Sequence, residues 1–372
     1  MVALDASLLL PVLGGLAGVA LGFVARSTHF CTLSALERFW YAGDSSGIRC
    51  WALASLVALA ATQLLVVFGF ADPRLSFYLA SDFPWTGAIA GGLMFGFGMA
   101  LVGTCGFGAV LRLGGGSLRA LVVLTVIGLS ALAAQRGLVG LVRRPLVDDL
   151  ALSFDWSGSQ SLGDILATLL GLPAFPLVQP LLALLIAAAG LWWVFRPASF
   201  RRHRVRIAAS AVIGLVIAFG WAVTTQLANG ALAPVQVEAG SFVVPVGDTI
   251  LQLITYTGTG PDYGVGLVVG TVVGAALAAF RKRDIRWEAC DDARELGRHI
   301  LGGTLMGVGG VFAMGCTVGQ TMTGFSALAI SAPVVTLCMV LGARLGLSLL
   351  VEGSLLSAFR RNEGTERPSA AE

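Results

Sequence analysis

The chain has 372 residues, of which 56% are hydrophobic and only 12% charged, about half the charge of an ordinary soluble domain. With a mean hydropathy of +0.85 it cannot cover a globular surface with polar groups, so it is an integral membrane protein. Nucleic-acid binding, a soluble metabolic enzyme and disorder are excluded. A formal net charge of +3 is too small to point to a polyanionic partner.

Nine apolar runs are long enough to be membrane spans: about 8–25, 51–71, 86–103, 118–134, 181–195, 206–222, 263–280, 299–314 and 332–351. The first has no basic stretch before it and reads as a span, not a cleaved leader. The runs 86–103 and 299–314 are short and Gly-rich. Each is followed at once by more apolar, Gly-rich sequence (104–116 and 315–328). That pattern predicts broken or re-entrant helices, which are tolerated only where protein or a cavity surrounds them. The fold class is therefore all-α, with about nine transmembrane helices plus short re-entrant ones.

Orientation follows from arginine. Arg196 to Arg206 holds five arginines and His203 with no acid, the run Arg281-Lys282-Arg283 follows span seven, and the tail carries Arg360 and Arg361. These segments should be cytoplasmic. Nine spans then put the N-terminus outside and the C-terminus inside, and make 135–180 an extracytoplasmic loop. Residues 284–297 place Ile285, Ala289, Ala293 and Leu296 at helical spacing between charges, which predicts a short amphipathic helix on the cytoplasmic face.

An internal repeat is the most informative feature. Gly91, Gly92, Gly96, Gly98, Cys105 and Gly108 recur at Gly302, Gly303, Gly307, Gly309, Cys316 and Gly319, always 211 residues on. Gly103 and Gly315 match with a shift of one. Span parity makes 86–103 run inward and 299–314 outward, so the repeats are expected to be inverted: residues 1–180 form the first and 181–372 the second. Secondary transporters of this build bind substrate near the midplane, at the repeat interface.

That interface would carry neutral groups. There is no intramembrane carboxylate or lysine cluster of the kind a proton or cation pathway shows. The pore segments instead offer Thr104-Cys105-Gly106, Gly315-Cys316-Thr317 and His29-Phe30-Cys31-Thr32. Broken-helix N-termini add positive dipole ends. Such a site suits a small anion, and the repeated cysteine points to a soft, sulfur-bearing one. The thiols must be neutral, because a thiolate would repel it. Arg26 and Arg112 lie near these segments, either as snorkelling arginines or as anion attractors at the pore mouth. The six cysteines form no CxxC or Cys/His metal pattern. Cys50, Cys290 and Cys338 read as packing or incidental residues, and no metal or other cofactor is expected.

The segments HFCTLSA (29–35), GTCGFGAVLRLGGGS (103–117) and GCTVGQTMTGFSALA (315–329) resemble the YeeE/YedE sulfur-transport family over nearly the whole chain. The resemblance implies an hourglass-shaped inner-membrane protein with short helices inserted from both faces. It also implies thiosulfate uptake along three cysteines by S–H···S hydrogen bonds, which match Cys31, Cys105 and Cys316. A TusA-like sulfurtransferase at the cytoplasmic face is an implied partner. Cys31 differs from the other two in having no counterpart in the repeat, since the region around Gly220 has no cysteine. Selenium compounds are an alternative substrate. A membrane thiol enzyme that takes sulfur covalently is an alternative class, although it would need a resolving cysteine and no close Cys pair exists. A structural subunit of a larger complex is a third.

Overall fold

In a computed structural model of the chain, residues 6–171, 178–231, 235–255 and 260–354 are described. Arg360 and Arg361 of the predicted tail lie outside them. Each of the nine apolar runs is a helix. In chain order the helices are α1 (Ala6–Thr28), α2 (Thr32–Ala42), α3 (Ser46–Val67), α4 (Trp85–Val102), α5 (Gly106–Gly114), α6 (Leu118–Arg136), α7 (Leu138–Arg143), α8 (Leu162–Leu170), α9 (Gln179–Phe195), α10 (Ala198–Arg201), α11 (Arg204–Gly230), α12 (Val244–Ile254), α13 (Tyr263–Lys282), α14 (Ala293–Phe312) and α15 (Ser331–Glu352). Among the described residues, seven stretches are long and apolar enough to cross a membrane, and two of them are the broken pairs α1–α2 and α4–α5. The shorter α9 and α12 are also apolar. The charged first turn of α14 precedes its apolar part. Apart from one two-residue pairing, β1 (Asp82–Phe83) with β2 (Leu152–Ser153), the described residues form an all-α, multi-pass membrane protein.

Glycine sets the helix spacing. α1 and α13 run parallel, and a Cβ on Gly14, Gly18 or Gly22 would fall 2.3, 2.3 and 2.2 Å from the carbonyl oxygens of Tyr263, Leu267 and Thr271. In return, Gly266, Gly270 and Gly274 face the carbonyls of Pro11, Gly15 and Val19, each at 2.1 Å. This is small-residue packing on both partners, four residues apart. The repeated glycines divide the same work in both halves. Gly91 and Gly98 meet Gly309 and Gly302 where α4 and α14 cross antiparallel. Gly92 and Gly96 face α15, while Gly303 and Gly307 face α6. The exchange extends further, with α1 on α13, α3 on α11, α4 on α15 and α6 on α14.

Two regions differ from the sequence expectation. The amphipathic helix over 284–297 does not form. Residues 284–292 are extended: Arg286 N donates to Gly115 O (3.1 Å), Arg119 N donates to Glu288 O (3.2 Å), and Ser117 bridges Glu288. The helix begins only at Ala293 because Asp292 caps Glu295 N (2.6 Å) while the Glu295 carboxylate accepts from Asp291 N (2.8 Å). This reciprocal cap fixes the start and overrides the weak upstream periodicity. The predicted loop 135–180 contains α7 and α8 and folds back on the bundle, with Leu162 N donating to Leu328 O (2.9 Å) and Ile330 N to Gln160 O (3.1 Å).

The α1–α13 contact gives a direct test. Gly18→Leu or Gly270→Leu must push the two backbones apart and should cost at least about 2 kcal/mol. The expected result is a lower thermal midpoint in detergent and less monodisperse protein. Gly230→Ala, whose Cβ would meet nothing within 4 Å, should leave both unchanged.

Candidate functional site

Three helix breaks build the site, and a cysteine restarts the chain after each. α1 ends at His29 (φ 54°), α4 at Gly103 (φ 78°) and α14 two residues after Phe312, at Met314 (φ 56°). In every case the left-handed residue lies two before a cysteine: Cys31, Cys105 and Cys316. Left-handed backbone ends a helix. For His29 and Met314, which have a Cβ, it costs of order 1–3 kcal/mol, so packing must impose it. The next residue closes each of these two breaks, with Phe30 N bonding Ala25 O (2.9 Å) and Gly315 N bonding Gly310 O (2.8 Å).

Each cysteine then heads a new helix. Cys31 is the N-cap of α2 and Cys105 that of α5, where its Sγ accepts from Gly108 N (3.3 Å). Cys316 heads the helical residues 317–326, which include a π-helical stretch, Gly319–Gly324. Its Sγ accepts from Gly319 N (3.4 Å). The two repeat cysteines therefore share one geometry: sulfur as cap acceptor for the amide three residues on. A thiol that accepts an N–H keeps its own S–H free to donate.

Residues of all three breaks meet at Cys105. Thr32 Oγ1 donates to Cys105 Sγ at 3.9 Å, and Cys31 and Cys316 are both within electrostatic reach of Cys105. The Thr317 hydroxyl also faces Cys105. Cys105 and Cys316 are 0% exposed, whereas Cys31 is partly open. It lines two cavities, of about 250 and 440 Å³, on the face where the arginines gather. Arg38 lines both, Arg206 the first, and Arg26 and Arg112 the second. The side chain of Arg112 also donates to Gly103 O (2.8 Å), and Arg26 pairs with Asp284 at 3.4 Å.

Of the other expected site residues, Thr104 lies beside Cys31 and Arg112 in the larger cavity with its hydroxyl turned over Gly108. Gly106 opens α5, and Gly315 lies 3.3 Å from the Tyr78 hydroxyl, measured from an added Cβ. Cys50, Cys290 and Cys338 head no break. Cys338 packs on Gly92, and Cys290 Sγ lies 3.7 Å from His299 Nδ1. No group of His, Cys, Asp or Glu among the described residues could hold a metal.

Sequence reasoning missed the cover over Cys316. Ser241 Oγ lies 3.9 Å from its Sγ, and the Phe242 amide approaches the same sulfur. The Tyr78 ring is 1% exposed, and its hydroxyl is aimed at Gly319, 2.9 Å from an added Cβ, with no well-formed hydrogen bond. Gly240 is clamped at both ends, by Thr323 Oγ1 donating to its O (2.8 Å) and accepting from its N (3.2 Å). Ser241 and Phe242 lead into α12. Like α2, α12 is 11 residues long, and its N-cap is Val243. Tyr78 and Ser241 lie in aperiodic connections outside the repeated motif, so no sequence signal marked them.

With this geometry in place, comparison with known proteins is decisive. Residues 27–345 match the family described as sulphur transport. The chain belongs to that family. It is also similar to the thiosulfate transporter TsuA of Escherichia coli K12, at 26% identity over 83% of this chain and 86% of that protein. The TsuA of Spirochaeta thermophila is similar too, at 28% identity over 69% and 75%. The matched family region contains all three break cysteines.

The strap over Cys316 also carries a titratable group. Glu238 is tied to α11 through its backbone, with Thr224 Oγ1 donating to its O at 2.8 Å. Its carboxylate accepts from the Gly264 amide. Burial first, then the neighbouring Asp262 and Asp248, push its pKa up to about 8. Asp262 caps Val265 N (2.8 Å), Asp248 lies 3.7 Å from Arg136, and Tyr263 packs alongside. Because the folded value lies above the unfolded one, Glu238 favours folding most at low pH, and that contribution is lost as pH rises towards 8. The thermal midpoint should therefore fall between about pH 4.5 and 8 and level off above. Glu238→Gln should flatten the fall, and an unchanged slope would show that Glu238 is not responsible.

Proposed function

We propose that this protein takes up thiosulfate across the bacterial inner membrane, passing it along Cys316, Cys105 and Cys31 as a series of neutral thiols. The observation that carries the reading is the shared geometry of the breaks. Three cysteines head three helices in one connected series, two of them accepting an amide from three residues on. The similarity to two thiosulfate transporters supplies the substrate. The Arg-rich face is the cytoplasmic one, with the N-terminus outside, and the two halves are inverted repeats.

The residues suggest the order of events. A thiosulfate ion arriving at the face opposite the arginines meets Cys316 under its cover of Tyr78 and Ser241. Hydroxyl, thiol and helix-start amide donors replace part of its water shell. Burying a bare charge would otherwise be prohibitive. Each donor is weak, so no site holds the ion too long, as conduction requires. Cys105, flanked by Thr32 and Thr317, receives it next. Cys31 then releases it into a vestibule of four arginines, where a TusA-like sulfurtransferase could collect it. No bond is made or broken, so the protein acts as a transporter and not an enzyme.

The test is growth on thiosulfate of a bacterium lacking its other sulfate and thiosulfate uptake routes, with membrane levels checked. Cys31→Ala, Cys105→Ala and Cys316→Ala should fail, while Cys50→Ala, Cys290→Ala and Cys338→Ala should grow. Growth of all six would refute the thiol series. A persulfide on the intact mass of thiosulfate-treated protein would favour covalent handling instead. Separately, Tyr78→Phe should raise the half-saturating thiosulfate concentration about tenfold, as loss of one hydrogen bond to a charged group implies, with protein levels unchanged.

A further inference from the structure

One sizeable cavity among the described residues belongs neither to the thiol series nor to the vestibule. It has a volume of about 590 Å³ and opens sideways between α2, α3, α9 and α15. Its walls are Ala52 and Ser55 from α3, Gly190 and Trp193 from α9, and Leu337 and Val340 from α15. The helices α3 and α15 are spans and α9 is apolar, so the opening faces lipid and not water. Apolar residues at the mouth are exposed, with Leu337 at 60% and Trp193 at 41%. At its inner end the cavity reaches Thr32 and Thr317, the two threonines that flank Cys105. It is therefore a lateral window from the bilayer onto the polar path.

One end of the window is built for a headgroup. The Arg49 guanidinium lies 4.3 Å over the Trp193 ring and also bonds the carbonyls of Trp193 and Val194. Across the opening, Arg344 on α15 lies 5.4 Å from both Trp40 and Tyr41 on α2. Each residue continues a helix that lines the cavity, towards the Arg-rich face. Arginine with interfacial aromatics marks the headgroup level of a membrane, and basic residues there attract anionic lipid. An apolar slot below, with cationic groups above, has the chemistry of a phospholipid: acyl chain in the slot, phosphate at the rim.

We propose that one acyl chain of an anionic phospholipid, from the leaflet at the Arg-rich face, occupies this window with its phosphate at Arg49. The chain seals the path beside Cys105 against the bilayer, so the thiol series stays closed laterally while remaining open to the vestibule. A bulky side chain in the slot would displace the lipid and take over the seal.

The experiment uses the full chain in nanodiscs containing phosphatidylglycerol with a photoactivatable diazirine near one acyl terminus. Adducts are mapped by peptide mass spectrometry. In the wild type, adducts should concentrate on Thr321, Phe325 and Leu337 relative to Val269 and Val273, which are exposed on α13. Ala52→Trp, which fills the slot, should lower the window adducts at least about fourfold, the occupancy ratio implied by excluding a single methylene. Adducts on Val269 should not change. Arg49→Gln should lower window adducts from phosphatidylglycerol in the same direction. Gly190→Leu fills the slot from α9 and serves if Ala52→Trp does not fold as judged by gel filtration. Equal labelling of window and α13, or window labelling indifferent to both filling variants, would overturn the proposal. So would labelling that ignores Arg49→Gln, because the phosphate would then have no seat.

Discussion

A helix interrupted inside a bilayer leaves backbone amides and carbonyls with no water to satisfy them, and the rest of this structure depends on how three such interruptions are answered. At each one a side chain from elsewhere takes a freed carbonyl. Lys282, the single lysine of the chain, donates to Ser27 O. Arg112 donates to Gly103 O, and Gln320 to the carbonyls of Ala313 and Met314. At two of the three, a cysteine sulfur takes a freed amide on the far side. In the proposed path, the cysteine sulfurs that make the breaks tolerable would also be the groups that meet the ion.

The breaks can exist only because the surrounding helices pack closely enough to shield them. Close packing comes from glycine, used in register: every fourth residue on α1 and α13, and paired positions on α4 and α14. Where backbones meet directly, a break is buried in protein and not exposed to lipid. The lateral window is a gap in that shield, and it falls where the wall is α9, a short helix whose Gly190 sits over Leu56 of α3.

The surroundings of Cys31 and Cys316 are unlike. Around Cys31 the vestibule is open and cationic, with Arg26, Arg38, Arg112 and Arg206. Around Cys316 the cover is closed and neutral, made of Tyr78, Ser241 and a strap that holds a buried acid, Glu238. The likeness of α2 and α12 makes the difference legible. One is headed by a cysteine and the other by Val243, preceded by Ser241 and Phe242. The arginines around Cys31 can attract an anion over a distance, and the proposed path would take its direction from that difference in side chains.

The sequence by itself determined the membrane class, all nine helical runs and the two glycine-cysteine motifs. These depend on composition and on spacings within one helix, which local patterning records directly. It marked Cys105 and Cys316 through the repeat, whereas Cys31, in the polar segment 29–32 but without a counterpart in the repeat, leaned on family resemblance. It misread 284–297, where a cap and a backbone pairing with residues 115–119 outweighed weak periodicity. Only the tertiary structure decided that Tyr78 and Ser241 stand around Cys316, that Thr32 and Thr317 meet at Cys105, and that a window opens beside them. The physical reason is that these contacts join residues dozens to hundreds of positions apart across the crossing of helices. The crossings are set by glycines whose partners no single helix can specify.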